Sequence, residues 1–277
     1  MEARTKKLKI DLLNWYKKNK RSFSWRKTKD PWQILLIETL SQQTQLERAN
    51  EYFDKFIIKF PSPKSMASSS LKIILKMWSG LGYNNRAKRL YDASKIIEKK
   101  GFDQIYPNFD VLPGVGPYTK NAILSFAYGE KVLAVDTNIE RIIKRYFGLN
   151  DTKDFFNKNS KYFLRNVDSR DINQAFMDFG NSICKSSNPI CNVCPLENSC
   201  SKYFYTYKST KEKFKGSNRE VRGKIIKLLI NKGSTNNQKI FEEIDEDSDK
   251  VKKALQGLKK DNLIKFKKNN IIEINSN

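Results

Sequence analysis

Four cysteines near residue 190 carry the strongest chemical signature in this chain. Cys184, Cys191, Cys194 and Cys200 are its only cysteines, and six, two and five residues separate them. Thiolate sulfur prefers zinc and iron–sulfur clusters to hard cations, so four thiolates this close in sequence predict a metal site. Two disulfides are the alternative for a secreted domain. However, the N-terminus lacks the apolar core of a signal peptide, and a chain of 277 residues does not need such cross-links.

Zinc and an iron–sulfur cluster are the two candidates for this site. Structural zinc sites usually combine two close cysteine pairs, whereas here only Cys191 and Cys194 form one. The longer outer spacings favour a single 4Fe–4S cluster, with zinc as the alternative. Because cluster thiolates persist in a reducing compartment, we expect a cytoplasmic protein.

The charge of the chain indicates a polyanionic partner, and its lack of histidine restricts the chemistry. The net charge is +23, from 53 Lys and Arg against 30 Asp and Glu. Nucleic acid is favoured over a membrane surface, because no basic amphipathic anchor and no apolar run of spanning length is evident. Without histidine, Ser–His–Asp and Cys–His catalysis are excluded. Any catalysis must therefore rest on carboxylates, lysine, tyrosine or the metal.

The elements that must position these groups are predominantly helical up to about residue 200. Apolar residues recur there at helical spacing and predict an all-α core. The length allows two or three domains. The predicted helices cover residues 5–19, residues 31–59 with a break near 41–45, a segment that ends at Gly80, and residues 86–99, 117–128 and 136–147.

The last sixty residues have a different pattern. A basic linker, residues 204–217, leads to predicted helices at 219–231, 235–245 and 248–260 and then to two short strands, LIKFKK and IIEIN. This order predicts a small winged-helix-like domain, residues 218–277. Its lysines could contact DNA. However, the acidic run EEIDEDSD before the last helix would repel phosphate, so docking of another protein is an equal alternative.

Residues 112–119, LPGVGPYT, form a motif suited to a phosphate backbone. Gly114 and Gly116 permit positive φ, so successive backbone N–H groups can point at one phosphate, and the following helix adds its positive end. An ordinary turn between helices is the alternative for so short a motif. The whole segment lies upstream of the cysteine loop in a basic helical chain. In that setting it resembles the helix-hairpin-helix DNA glycosylases of the endonuclease III superfamily.

The resemblance covers about residues 5–203 and is strongest to the MutY-type adenine glycosylases. The segments that carry it are SWRKTKDPW, IETLSQQTQ, GLGYNNRA, LPGVGPYT with VDTNIER, and NQAFMDFGNSIC, which runs into the cysteines. The resemblance implies an all-α glycosylase fold with a 4Fe–4S cluster loop. It divides that fold into a cluster domain, residues 1–24 and 131–203, and a six-helix barrel with the helix-hairpin-helix, residues 25–130.

The same resemblance implies four catalytic residues. Glu38 matches the acid that protonates the departing purine, and its apolar neighbours favour the protonated form that this role requires. Asp136 matches the carboxylate that stabilises or transiently attacks the positive sugar, and it also suits a helix N-cap. Tyr118 and Asn138 match residues that hydrogen-bond these carboxylates and hold the catalytic water.

Tyr118 also indicates the reaction subclass. Bifunctional relatives have a lysine at this position, which forms a Schiff base with the sugar and then cleaves the strand. Tyrosine cannot form a Schiff base, and Lys120 lies two residues further along, where its side chain should point elsewhere. We therefore expect a monofunctional glycosylase that leaves an abasic site.

Six further positions match family residues that flip the target base and hold it. An adenine inside a duplex is reached only by flipping it out, and the gap must be filled. The residues inserted into the duplex correspond to Gln43 and Tyr83, with Gln42 beside them. The residues that line the adenine pocket correspond to Trp25, Arg26 and Gln174. The Gln174 amide can both donate to and accept from an adenine edge.

The resemblance therefore implies a monomeric base excision repair enzyme that acts on double-stranded DNA with a mismatch or an oxidised guanine. It would remove adenine opposite 8-oxoguanine or guanine. The alternative within this class removes thymine or uracil opposite guanine, but Gln42, Gln43, Tyr83 and Gln174 favour adenine. A non-catalytic DNA-binding regulator would explain the charge and the cysteines, although not the four matched catalytic residues.

Two features depart from the MutY pattern. The usual enzyme carries a C-terminal domain related to Nudix hydrolases, which helps to recognise 8-oxoguanine, whereas here a winged-helix pattern of about sixty residues follows the linker. The paired tyrosines that follow GLG in the family are Tyr83 and Asn84 in this chain. The C-terminal segment is therefore also a candidate surface for a repair-protein partner.

Overall fold

The computed structural model describes residues 1–204 and 214–275. Residues 1–204 contain helices and no strands, which confirms the predicted all-α core. The helices of this part are α1 (Glu2–Asn19), α2 (Pro31–Ser41), α3 (Leu46–Lys59), α4 (Pro63–Ala67), α5 (Leu71–Met77), α6 (Asn85–Lys100), α7 (Phe102–Ile105), α8 (Pro117–Tyr128), α9 (Thr137–Phe147), α10 (Lys153–Leu164) and α11 (Ser169–Ser182). The predicted break near residues 41–45 separates α2 from α3, whereas α4, α7, α10 and α11 are additional to the predicted helices.

The chain forms two compact units by its internal contacts. Unit 1 comprises Met1–Leu35, Pro107–Asp110 and Val115–Lys208, and unit 2 comprises Leu36–Tyr106, Val111–Gly114 and Ser209–Asn277. The predicted domains have different limits, at residues 24, 130, 203 and 217. Those limits stay a prediction. Residues 205–213, most of the predicted linker, lie outside the described residues.

Unit 1 has a core built from the apolar faces of its long helices. Helix α1 packs on α10 and α11, and α11 also packs on α9 and α8. Leu8 and Leu12 of α1, Ile139 of α9, and Phe176 and Phe179 of α11 are buried in this core. The helical spacing of these apolar residues explains why the three helices share one interior.

Unit 2 combines the helices from α2 to α7 with the C-terminal segment. Helices α4 and α5 pack on α6, and Phe56, Trp78 and Leu90 are buried there. The C-terminal elements are α12 (Asn218–Lys232), β1 (Ser234–Asn236), α13 (Asn237–Glu243), α14 (Ser248–Lys260), β2 (Ile264–Phe266) and β3 (Ile271–Ile274). Helix α12 packs on both α14 and α5.

The C-terminal strands form one antiparallel sheet in the order β1–β3–β2, with Thr235 opposite Ile272 and Lys265 opposite Glu273. Strand β1 is additional to the sequence prediction. The acidic run before α14 has a local role, since Asp247 caps the helix by accepting from the N–H groups of Asp249 and Lys250. Within the described residues, no helix combines the length and the apolarity needed to cross a membrane.

Candidate functional site

Asp136 lies at the N-terminus of α9, where the chain holds its carboxylate from several sides. Its Oδ1 accepts from the backbone N–H groups of Asn138 at 2.9 Å and Ile139 at 2.8 Å, and its Oδ2 accepts from Asn138 Nδ2 at 2.6 Å. Asp136 is therefore the N-cap that its residue type predicts. The same bonds fix the orientation of the carboxylate relative to Asn138.

Arg141, one turn into α9, extends this arrangement toward the cysteine loop. Its Nη2 donates to Asn138 Oδ1 at 2.7 Å and to the Gly180 carbonyl at 2.8 Å, while its Nε donates to the Cys184 carbonyl at 2.8 Å. No role was predicted for Arg141 from the sequence. Its position inside the VDTNIER motif could have indicated that it belongs to the site.

Gly180 explains how α11 can lie so close to this group. A Cβ atom at this position would lie 2.7 Å from the Asn138 Cβ, closer than real Cβ contacts come. Any other residue would therefore displace Asn138 or separate α9 from α11.

Tyr118 lies in the first turn of α8, in the same unit as Asp136. Its Oη is 4.0 Å from Met177 Sδ. Lys120 is directed to another partner, because its Nζ forms an ion pair with Asp110 at 2.6 Å. The lysine nearest to Tyr118 in sequence is therefore held by a carboxylate.

The two glycines of LPGVGPYT have different backbone conformations. Gly114 has φ +84°, and a Cβ there would lie 3.1 Å from the Arg89 Cβ, so both conformation and space require glycine. Gly116 has φ −96° and ψ −178°, an extended conformation open to other residues. Gly116 precedes α8, with Pro117 as the first helical residue, and the N–H groups at a helix start are the anion-binding feature that the motif predicts.

Glu38 lies on α2 in unit 2 and is only 5% exposed. Its sequence neighbours Leu36, Ile37 and Leu40 are buried as well, so this part of α2 lies in the protein interior. Glu38 and Asp136 belong to different units, and their cooperation stays a prediction from the family resemblance.

Gln43 and Tyr83, the residues expected to enter the duplex, both have a left-handed backbone in unit 2, with φ +55° and +47°. Gln42 lies beside Gln43, and its Nε2 is 3.5 Å from the Gly114 carbonyl. Non-glycine residues rarely adopt this conformation, which persists only where neighbouring groups hold it. Two of the three predicted insertion residues therefore have a strained backbone.

Arg86 is the group that holds the segments carrying Gln43 and Tyr83. Its buried guanidinium donates to the Leu40 and Gln42 carbonyls on one side and to the Leu81 and Gly82 carbonyls on the other. Burial lowers its pKa to about 10. No role was predicted for Arg86 from the sequence, although it belongs to the GLGYNNRA motif.

Trp25, Arg26 and Gln174, the residues expected to line an adenine pocket, all lie in unit 1. Gln174 is buried, and its Oε1 accepts from the Tyr16 hydroxyl at 2.9 Å. Burial raises the pKa of Tyr16 to about 12, so this hydroxyl remains a donor. Trp25 is buried as well, and its Nε1–H has no hydrogen-bond partner among the described residues.

Arg26 is bound to a buried carboxylate. Its two terminal nitrogens each lie 2.7 Å from an oxygen of Asp178, and Arg21 Nε lies 2.7 Å from the same carboxylate. Burial alone would raise the pKa of Asp178, but the bonds from Arg26 and Arg21 outweigh it and hold that pKa below its usual value. The ion pair between Arg26 and Asp178 thus attaches the segment that carries Trp25 to α11.

The four cysteine side chains line one cavity, together with Arg145, Tyr146 and apolar residues of α9 and α11. Donors approach the sulfur atoms, since Arg145 Nη1 lies 3.5 Å from Cys184 Sγ and the Lys202 N–H lies 3.3 Å from Cys200 Sγ. Burial raises the pKa of the Cys194 thiol to about 11.

Tyr146 adds an unsatisfied group to this cavity. Its buried hydroxyl has no hydrogen-bond partner within the part of the chain that the structure describes. In the same part, no three Cys, Asp or Glu side chains are close enough to hold one metal ion. A 4Fe–4S cluster takes one thiolate on each of its four irons, so four cysteines are the number that it requires.

Comparison with known proteins places this geometry in a family. Residues 37–163 match the family described as HhH-GPD superfamily base excision DNA repair protein. The adenine DNA glycosylase of Mycobacterium tuberculosis (strain H37Rv) is 31% identical over 236 residues, which cover 79% of this chain and 77% of that protein. The chain belongs to the HhH-GPD superfamily of base excision DNA repair proteins. This confirms the resemblance to the helix-hairpin-helix glycosylases.

Further comparisons show the extent of the similarity. The adenine DNA glycosylase of Buchnera aphidicola subsp. Baizongia pistaciae is 36% identical over 201 residues, which cover 69% of this chain and 57% of that protein. This chain thus spans little more than half the length of that relative. A solved structure of a thermostable thymine-DNA glycosylase has 30% identity and a TM-score of 0.67, covering 73% of this chain and 97% of the other. An endonuclease III–DNA complex has 22% identity and a TM-score of 0.59, which shows the shared fold alone.

Proposed function

We propose that this protein is a monofunctional adenine DNA glycosylase of base excision repair. It removes adenine paired with 8-oxoguanine or guanine in double-stranded DNA and leaves an abasic site. The observation that carries the proposal is the carboxylate of Asp136, which Asn138 and the start of α9 hold in place in a chain of this superfamily. The adenine glycosylases among its relatives, at 36% and 31% identity, support adenine as the target.

In the proposed reaction, Glu38 donates a proton to the departing adenine. Its burial suits this role, since removal from water favours the protonated form of a carboxyl. Asp136 faces the positive charge that develops on the sugar and stabilises it, as paired carboxylates do in glycosidases. Water completes the hydrolysis, so the products are free adenine and an abasic sugar.

The monofunctional assignment depends on Tyr118. A Schiff base requires an amine at this position, and tyrosine has none. Lys120, the nearest amine in sequence, is paired with Asp110. We therefore expect intact strands after base release, which break only when alkali is added.

Gln174 and Trp25 support recognition of adenine. The Gln174 Oε1 is engaged by Tyr16, and no acceptor among the described residues bonds its Nε2. The buried Nε1–H of Trp25 is a second donor without a partner in the described part of the chain. Such donors can meet the ring-nitrogen acceptors of adenine, which lie on different edges of the base.

A thymine or uracil glycosylase acting opposite guanine is the second candidate, favoured by the similarity to the solved thymine-DNA glycosylase. Single-turnover base release on duplexes with A·8-oxoG, A·G, T·G and U·G, followed by alkali, separates the two. Fast release of adenine supports the proposal, and release of thymine or uracil instead contradicts it. Glu38→Gln is the control and should abolish release in every duplex. If no base is released from any duplex, the chain is a DNA-binding protein without this activity.

We also propose that Cys184, Cys191, Cys194 and Cys200 bind a 4Fe–4S cluster in a monomeric cytoplasmic protein. Four thiols around one cavity, with N–H donors directed at two of the sulfurs, support this assignment. When bound, the cluster would cross-link the loop 184–200. Metal analysis of the purified protein tests it: about four irons per chain support the cluster, whereas one zinc supports the alternative. A repair-protein partner for residues 218–277 remains part of the proposal.

A further inference from the structure

Tyr83 lies in a loop whose backbone favours glycine. The loop before α6 turns through Gly80, Gly82 and Tyr83, with φ +93°, +69° and +47°. The first two have no side chain to oppose a left-handed backbone, but Tyr83 does. Contacts to its side chain must therefore help to keep Tyr83 in this conformation.

Arg219, in the first turn of α12, supplies the closest such contact. Its Nη1 donates to the Tyr83 hydroxyl, and its guanidinium carbon lies 4.9 Å from the centre of the tyrosine ring. The Phe214 ring lies 6.0 Å from the same guanidinium, and Arg86 lies 5.8 Å from the Tyr83 ring. A hydrogen bond at the tip of the ring and a cation over its face restrict both side-chain torsions of the tyrosine.

Helix α12 also forms one wall of the cavity around the insertion residues. Gln43 and Tyr83 line this cavity from one side, and Arg219, Lys227 and Ile230 line it from α12. The packing of α12 on α5 fixes this wall within unit 2. The C-terminal segment thus meets the predicted insertion residues through its first helix.

Three lysines of the predicted recognition helix and wing are engaged by carboxylates. Lys265 and Lys267 both pair with Glu273, at 3.2 and 2.7 Å, and Lys252 pairs with Asp249. The start of α14 is capped by Asp247 and carries the acidic run. The charge of the predicted recognition helix and wing is therefore partly neutralised within the segment itself.

We infer that Arg219 is a positioning residue for Tyr83, through which the C-terminal segment prepares the tyrosine for insertion into the duplex. This inference rests on the proposed function, because it takes Tyr83 as the inserted residue. An ordered side chain loses less conformational entropy when it enters the DNA stack, so the contact favours the flipped state. The nearby positive charge also suits the approach of a phosphate backbone.

The experiment compares the full-length, cluster-containing protein with Arg219→Ala, Tyr83→Phe and the double variant. Tyr83→Phe keeps the ring and removes only the acceptor of the Arg219 bond. Single-turnover adenine release at saturating protein should fall about tenfold in each single variant, and the double variant should be no slower, because the two changes remove one interaction. Arg219→Lys keeps the positive charge but lacks the planar guanidinium. Its rate should therefore lie between those of the wild type and Arg219→Ala.

A fluorescent 2-aminopurine placed beside the opposing guanine reports on insertion directly. Its fluorescence change on binding should be reduced in Arg219→Ala, and circular dichroism should match the wild type. Lys227→Ala is the matched control, since it removes one positive charge from the same helix. It should weaken binding, most strongly at low salt, but leave the fluorescence change of the bound complex intact.

Three results would overturn the inference. If Arg219→Ala and Lys227→Ala gave the same rates and fluorescence changes, Arg219 would contribute only a positive charge and would not position Tyr83. Faster base release by Arg219→Ala would mean that the contact opposes insertion. If the rates of the two single variants multiplied in the double variant, the residues would act independently. A Tyr83→Ala variant with wild-type release and fluorescence would instead contradict the insertion role itself, which belongs to the proposed function.

Discussion

Asn138 and Cys184 are joined by a single guanidinium, that of Arg141. Arg141 Nη2 lies 2.7 Å from Asn138 Oδ1, and Arg141 Nε lies 2.8 Å from the Cys184 carbonyl oxygen. Asn138 in turn holds the Asp136 carboxylate. The predicted catalytic carboxylate and the backbone of the first cysteine of the predicted cluster are therefore connected through two side chains, those of Asn138 and Arg141.

Arg141→Ala should impair both ends of this connection. It removes donors from the carbonyls of Gly180 and Cys184, and we expect the free energy of unfolding to fall by about 3 kcal/mol. Base release at saturating protein should fall as Asn138 loses its support. Urea denaturation and single-turnover kinetics measure the two effects. Arg165→Ala, which removes an exposed arginine of the same unit, should change neither. A stable Arg141→Ala protein with wild-type kinetics would contradict the connection.

Asp136→Asn should separate the capping role of this residue from its charge. Asparagine caps helices about as well as aspartate, so stability should change little, while loss of the negative charge should lower base release by orders of magnitude. Asp136→Ala should lose the same activity and about 1 kcal/mol of stability as well. Thermal unfolding and single-turnover release distinguish the two variants. If Asp136→Asn kept its base-release activity, the negative charge of Asp136 would not be needed for catalysis.

Gly180→Ala should destabilise the contact of α9 with α11. The added Cβ would lie 2.7 Å from the Asn138 Cβ, and such overpacking costs about 1–3 kcal/mol. Gly223→Ala is the matched comparison, because no atom lies within 4 Å of its Cβ and alanine suits a helix interior. That change should stabilise the protein by about 0.5–1 kcal/mol. If the denaturation midpoints of Gly180→Ala and Gly223→Ala shifted in the same direction relative to the wild type, the proposed close contact at Gly180 would be wrong.

The Asp178 carboxylate should make the protein sensitive to acid. Its pKa lies below the usual value in the folded protein, so its stabilising effect is present above the ordinary aspartate pKa of about 3.9 and is lost as the pH falls through the folded value. Asp178→Asn should be less stable than the wild type at pH 7, because Arg21 and Arg26 lose their buried partner. Melting temperatures of both proteins, followed from about pH 7 down to about pH 2, should approach each other below about pH 3.9. A difference in melting temperature that stayed constant across this pH range would show that ionisation of Asp178 does not contribute to stability.

The sequence was most informative where structure depends on near neighbours. Apolar spacing located α1, α6, α8 and α9, and residue type alone indicated the N-cap at Asp136. Gly114 was recognisable as a required glycine, whereas Gly116 has an ordinary extended backbone that its residue type did not disclose.

The remaining features depend on partners far apart in the chain. Arg26 meets Asp178 across 152 positions, and Arg219 meets Tyr83 across 136. Periodicity and motif spacing carry no information on such pairs, so the sequence assigned no role to Asp178 or Arg219, the partners of Arg26 and Tyr83. Arg86 and Arg141 lay within recognised motifs, but their roles follow from carbonyl oxygens that only the folded backbone brings near.

The ion pairs of Asp178 have a consequence for the integrity of the chain. They attach Arg21 and Arg26 to α11, and the buried face of α1 adds an apolar contact to the same helix. A peptide bond broken near residue 28 would therefore leave the severed N-terminal piece bound. The two pieces should co-purify, and separately produced fragments should reassemble into one particle.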